Sequence, residues 1–300
     1  MSLLARIHRG KQPLPPRLVL YGTEGIGKST FAAQAPAPIF IQTEDGLSEI
    51  ACDKFPLAQT IDEVVASLTA LLAEQHDYQS VVIDSLDWLE RLIFDELCRQ
   101  FNVPSIEKVD GGYAKGYTHA LTHWRQVLGL LNRLRVERGM VVLCIAHAKV
   151  EKFEDPEATA YDRYSPRLHK HACGLVCEWA DAVLFATRKI RVQAEDAGFN
   201  RKRGVAFPLG KDGGERVLRT IGGPSCVAKN RYSLPEELAL SWPAFMTASA
   251  LPWPSREPKP PYSMPISAYA TSICCWAWKT GLSTRPRRCS PAAAALSRPW

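Results

Sequence analysis

Gly22-Thr23-Glu24-Gly25-Ile26-Gly27-Lys28-Ser29 reads G-x-x-x-x-G-K-S, the spacing of a loop that cradles phosphate. Arg17-Leu18-Val19-Leu20-Tyr21 before it predicts a short strand, and Ser29 to Gln34 after it predicts a helix. In that setting the backbone amides of the turn surround phosphate oxygens, and the helix start adds positive potential. Lys28 then reaches the β- and γ-phosphates of a nucleoside triphosphate, and Ser29 ligates its magnesium. Gly22 and Gly27 permit backbone geometry that a side chain would oppose. Thr23, Glu24, Gly25, Ile26 and Thr30 complete the expected nucleotide-binding set, with the Glu24 side chain turned to solvent or toward a partner subunit.

Outward from this loop, apolar strand-like runs alternate with helical patterns, which predicts an α/β fold with a mainly parallel sheet covered by helices on both faces. Strands are expected at 17–21, 38–42, 80–84 and 140–145, and helices at 61–75, 86–101 and 117–137. The run Ser80-Val81-Val82-Ile83-Asp84 is continuously apolar up to its acid, as suits a strand covered on both sides. Residues 146–170 are polar, with Pro156 and Pro166 and no periodic pattern, and read as a functional or mobile loop. A helix near 171–179 and a strand at 181–186 follow. Hairpins are expected over 188–220, with turns near Asp196-Ala197-Gly198 and Lys211-Asp212-Gly213-Gly214, and a last helix from Leu234 to Phe245 with Pro235 in its first turn.

Asp84 ends its strand where a carboxylate enters the magnesium shell beside Ser29. Asp87, three residues on, reads as a helix cap, and Ser85 as a residue facing the nucleotide. Glu44 follows the strand at 38–42 and is placed to orient or deprotonate the attacking water; Asp45 is its competitor, and a helix-capping acid is the plain alternative. His147 follows the fourth strand and suits a γ-phosphate sensor, or a satisfied strand-end histidine. The segment after it carries Arg163, Arg167 and Lys170 with Tyr161 and Tyr164, a combination that tracks and stacks on single-stranded DNA. It also carries Glu151, Glu154, Asp155, Glu157 and Asp162, so a solvated loop or subunit contact competes.

The 300 residues carry a formal charge of +6, and the tail supplies all of it. Residues 249–300 hold seven basic side chains against Glu257, which leaves 30 basic and 30 acidic side chains in 1–248. Bulk charge therefore gives no argument for nucleic-acid binding by the folded part. The same tail holds nine of 22 prolines and four of eight tryptophans without a period, so it reads as disordered or frame-shifted sequence, or as a basic arm. The organisation expected is an arm at 1–16, one ATPase domain over 17–248 and this tail. No apolar run is long enough to span a membrane and the basic N-terminus lacks a signal-like stretch, which points to the cytoplasm. Nine scattered cysteines suit buried thiols in a reducing compartment. Cys173 and Cys177 beside His169 and His171 raise zinc as an alternative, without a second ligand pair of matching spacing.

Together these residues resemble the RecA-like ATPase fold and, more narrowly, phage-encoded AAA-family ATP-binding proteins found beside recombination and single-strand annealing genes. The resemblance rests on Gly22 to Ser29, Phe40-Ile41-Gln42-Thr43-Glu44, Ser80 to Asp84, Ile145-Ala146-His147, Arg219-Thr220, Ala228 to Tyr232 and Leu234-Pro235, within about 10–248. It implies ATP and magnesium as cofactors and Glu44 as the catalytic glutamate. Asp84 becomes the magnesium aspartate, and Lys28 and His147 act beside them. It also implies a homo-oligomer in which Arg231 or Lys229 reaches a neighbour's nucleotide; cis contacts or surface positions are the alternatives for that pair. Two functions follow: an ATPase assisting DNA recombination, annealing or repair, or a nucleotide-gated loader of a phage replication protein. An ATP-binding protein inactivated by its damaged C-terminus is the third.

Overall fold

The computed structural model describes Ile7, Gly10, 13–157, 159–196, 202–209 and 214–251. The tail from 252 onward, most of the arm at 1–16 and the turns expected near 197–198 and 211–213 lie outside the described residues. The strands are β1 (Arg17–Gly22), β2 (Pro38–Gln42), β3 (Asp53–Lys54), β4 (Ser80–Asp84), β5 (Val141–Phe153), β6 (Tyr161–Pro166), β7 (Ala182–Arg188), β8 (Ile190–Asp196), β9 (Lys202–Pro208), β10 (Arg216–Arg219), β11 (Lys229–Asn230) and β12 (Glu237–Ala239). The helices are α1 (Lys28–Ala33), α2 (Ile61–Ala73), α3 (Leu86–Gln100), α4 (Lys115–Glu137), α5 (Lys170–Trp179) and α6 (Trp242–Ser249).

The main sheet runs β12-β10-β7-β1-β5-β4-β2-β3 and is parallel from β7 to β3, with β10 and β12 added antiparallel at one side. Its centre is continuously apolar because successive side chains feed opposite cores. Val19, Ile41, Val81, Ile83, Val142 and Cys144 join one core with Leu68 of α2, Ile93 of α3, Trp124 of α4 and Val176 of α5. Leu18, Leu20, Phe40, Val82, Leu143 and Ile145 join the other, with Phe31 of α1 and Trp242 and Phe245 of α6. This is the expected fold class, a mainly parallel sheet flanked by helices with added C-terminal strands. Among the described residues no helix is long and apolar enough to cross a membrane.

Two segments differ from the sequence expectation. Within 146–170 the described residues form paired strands: β5 runs on past the sheet to Phe153, and β6 pairs back on it in an antiparallel hairpin. Its strands escape a hydrophobicity reading because cross-strand contacts replace an apolar face. Arg163 donates to Glu151 at 3.1 Å and lies 3.9 Å from the Phe153 ring centre, and Tyr161 packs on that ring. At the hairpin's base Tyr164 stacks on Phe185 at 4.9 Å. The last helix begins at Trp242, not Leu234. Ser241 caps it by accepting the Ala244 N–H and Pro243 sits in its first turn, while 237–239 form β12. The first-turn proline was the right signal, and Pro243 rather than Pro235 carries it. Farther back, β8 and β9 form the expected hairpin, whereas β10 joins β7 in the main sheet.

The start of α5 is tied to α3 by a buried acid. Glu90 accepts the His169 N–H at 2.9 and 3.1 Å. Burial pushes its carboxyl up to about 7 from 4.5; the His169 N–H and Lys149 oppose the rise, and Asp87 adds to it. The folded-state value lies above the unfolded one, so this group's stabilisation is complete below pH 4.5 and is lost as pH rises through about 7. The full swing is about 3 kcal/mol. Melting temperatures of wild type and Glu90→Gln measured from pH 4 to 8 are expected to diverge in slope across this window, with the wild type falling faster. Parallel curves would remove Glu90 from the pH response.

Candidate functional site

The loop after β1 depends on two glycines, one at a close approach and one at a left-handed turn. Gly22 pairs with Ala186 of β7, and a Cβ on it would lie 2.4 Å from the Ala186 carbonyl oxygen. Gly27, at φ 107°, adopts the left-handed conformation that opens α1. Lys28 is buried and its Nζ donates to the Gly22 and Thr23 carbonyls at 3.1 and 3.0 Å. Burial lowers its pKa, against the raising influence of Asp84, Glu44 and Asp87.

The ends of the parallel strands bring the acids to this lysine. Ser29 Oγ donates to Asp84 Oδ2 at 2.6 Å. Burial pushes the Asp84 carboxyl up, while Ser29 and Lys28 pull it down. Adjacent hydroxyl and carboxylate oxygens are the hard donors that magnesium takes, so this pair fits the ion. Thr43 then locks the end of β2 to the end of β4: its hydroxyl donates to the Ser85 carbonyl at 2.6 Å and accepts the Ser85 N–H at 2.8 Å. That places Glu44 beside Asp84. Burial raises the Glu44 carboxyl; His147 opposes the rise, and Asp84 and Asp87 add to it. Asp45 is exposed, and Glu44 lines the cleft without it.

His147 is held from behind. Asp87 Oδ1 accepts its backbone N–H at 3.0 Å, and its Nδ1 lies 3.0 Å from Asp87 Oδ2. Burial opposes charge on Asp87, yet the hydrogen bonds from His147 and Arg167 hold its carboxyl well below the usual range. An ionised carboxylate only accepts, so the Nδ1 proton points to Asp87. Nε2 then faces Glu44, 3.8 Å from its Oε1. Glu44, Asp87 and His147 have metal-ligand atoms within 4.8 Å of one another. With Nδ1 hydrogen-bonded to Asp87, His147 leaves only Nε2 toward Glu44, and the three residues form a group distinct from the Ser29–Asp84 pair.

Glu24, Gly25, Gly27, Lys28, Ser29, Thr30, Glu44, Asp84 and His147 thus line one cleft of about 290 Å³, together with Arg216. Other expected residues fall elsewhere. Lys229 and Arg231 lie at the far end of the strands, where Lys229 pairs with Val183 at the start of β7. Lys229 Nζ donates to the Cys177 and Glu178 carbonyls at 2.6 and 3.0 Å, and Arg231 meets Asp181 at 3.3 Å. Within one chain neither approaches the loop. Of Arg163, Arg167 and Lys170, Lys170 is exposed at the start of α5 and the two arginines are paired with acids. Arg163 is paired with Glu151, and Arg167 binds Asp87 at 2.9 Å and Glu24 at 3.4 Å. Among the described residues Cys173 and Cys177 gather no third metal ligand.

The sequence reading missed Asp87 as the partner of His147, Thr43 as the lock and Arg216 altogether. Asp87 has a legible signal, an acid in the first turn of α3, three residues after the strand acid. Arg216 has none, since it comes from a strand far along the chain.

A family pattern described as an AAA domain matches residues 14–232. The chain is also similar to the SPbeta prophage-derived uncharacterized protein YorG of Bacillus subtilis (strain 168), 25% identical over 172 residues. That alignment covers 56% of this chain, and the chain spans about half the length of that relative, 49%.

Proposed function

The chain belongs to the AAA-domain family, and from that premise we propose that it binds magnesium-ATP and hydrolyses it. The observation that carries this reading is the convergence of Lys28, Ser29, Asp84 and Glu44 on one cleft. Lys28 offsets phosphate charge, and Ser29 and Asp84 hold magnesium. The bound ion supplies charge neutralisation on the β- and γ-phosphate oxygens. Glu44 takes the proton of the attacking water, its carboxylate oriented by His147, which Asp87 keeps in one tautomer. Arg167 bridges Asp87 and Glu24 of the loop and directly follows β6, so the hairpin is joined to the nucleotide site by ion pairs. We assign to the hairpin the readout of nucleotide state, with His147 as sensor.

What the hairpin acts on divides two readings. A DNA-dependent ATPase assisting phage-type recombination, annealing or repair needs free cations there. A nucleotide-gated loader of a phage replication protein needs an apolar patch. The pairing of Arg163 and Arg167 with acids favours the loader. So does the exposure of Val150 and Tyr164, which face each other across the hairpin at 59% and 39%. The prophage origin of the similar Bacillus protein supports a phage setting for either. Phosphate release by the full chain, measured with and without single-stranded DNA, separates them. Turnover that requires magnesium and ignores DNA is the expected result. Stimulation by DNA would return the function to recombination, annealing or repair, and no turnover in any condition would overturn the ATPase.

A further inference from the structure

Arg216 opens β10, the strand that runs antiparallel to β7. Leu218 pairs with Ala186, and Ala186 pairs with Gly22 at the start of the phosphate loop. An antiparallel strand at that register enters the sheet from the loop side, so Arg216, two residues earlier and paired with Arg188, lies past the level of Gly22 on the side where the loop sits. Side chains alternate along a strand, and Leu218 packs in the same core as Phe31 and Ala32 of α1. Arg216 therefore projects on the α1 side, above the loop. Its Nη1 lies 3.3 Å from where a Cβ on Gly27 would stand, and it lines the cleft with Lys28, Ser29, Thr30 and Asp84.

Its surroundings are built and its head group is not engaged. The Arg216 carbonyl accepts the Leu240 N–H at 3.2 Å, which fixes the strand from the β12 side. Neighbouring cations are occupied: Lys189 by Glu237 and Glu215, and Arg219 by Ser225 at 2.9 Å. The Arg216 guanidinium makes no hydrogen bond or ion pair with the described residues, although Glu24, Glu44 and Asp84 line the same cleft. A cation left unpaired beside a phosphate loop is matched to an anionic ligand, and a guanidinium matches phosphate oxygens in two-point geometry.

We propose that Arg216 is a ligand of the nucleotide's phosphate chain, supplied by the same chain that carries the loop. The inference rests on the ATP-binding reading above and adds the source of the second cation. It removes the need for Lys229 or Arg231 of a neighbouring subunit to provide that cation. It also gives Gly27 a second constraint, because any side chain there would displace the arginine as well as strain the backbone.

The test uses full-length protein and a labelled ATP analogue with magnesium. Arg216→Ala is expected to raise Kd by about 10–100-fold, the range for one charged hydrogen-bonding partner. Arg216→Lys should recover part of the loss, since it keeps the charge but not the two-point geometry. The melting temperature should stay near that of wild type, because no described residue loses a partner. Wild-type affinity in Arg216→Ala would overturn the proposal. Mixing Arg216→Ala with Lys28→Ala decides whose nucleotide the arginine serves. At sub-saturating ATP, a cis ligand leaves the mixture no more active than the average of its components, whereas activity above that average would mean that Arg216 serves a neighbour's site and would overturn the cis assignment. Failure of the underlying reading looks different: wild type and Lys28→Ala would bind the analogue equally, whatever Arg216 does.

Discussion

Glu44→Gln is expected to lower ATP turnover by about 10²–10⁴-fold, the contribution of a positioned general base. Nucleotide binding should survive, because Glu44 is an anion among phosphate ligands and its neutral amide removes repulsion. Placement rather than residue type supports the size of this effect. The Thr43–Ser85 pair of hydrogen bonds fixes the backbone next to Glu44, and His147 stands 3.8 Å from its Oε1. The variant is nearly isosteric, so a folding defect is not expected to mimic the loss. Steady-state phosphate release gives turnover, and titration of the labelled analogue gives Kd. Near-normal turnover would take the role from Glu44, and the exposed Asp45 would become the next residue to substitute.

Lys28→Ala is expected to weaken magnesium-ATP binding by at least about 10²-fold, since charge-assisted hydrogen bonds contribute about 1.5–3 kcal/mol each and more than one is lost. In the structure the ammonium rests on the Gly22 and Thr23 carbonyls, both within the loop it serves. Its burial already costs part of its charge stabilisation, which is why carboxylates gather around it and why an anionic ligand gains by approaching it. Equal affinity of wild type and a folded Lys28→Ala protein would sink the assignment of the loop. Together with Glu44→Gln the two variants separate binding from hydrolysis: one is expected to lose both, the other turnover alone.

Much of this architecture is local and therefore legible in the chain. The loop at 22–29 is contiguous, and its glycines answer to backbone geometry within a few residues. The strands at 17–22, 38–42 and 80–84 read as apolar runs because each is covered on both faces, and Asp84 and Glu44 follow from where those runs stop. The strand at 140–145 was legible, but its continuation to 153 and the return strand at 161–166 did not read as strand, because their pairing is held by Glu151, Arg163, Phe153 and Tyr161 across two strands, not by an apolar period along one. Which cations face the nucleotide was equally hidden. Lys229 and Arg231 look like suitable residues, yet β11 meets the far end of β7, while Arg216 on β10 meets the near end. Arg167 looks like a DNA contact, yet it is bound to Asp87 and Glu24. Sequence alone determined what each local segment could be: the phosphate loop, the buried strands and the acids at their ends. Tertiary structure decided which distant side chains meet there, because strand direction and register set positions that no spacing along the chain encodes.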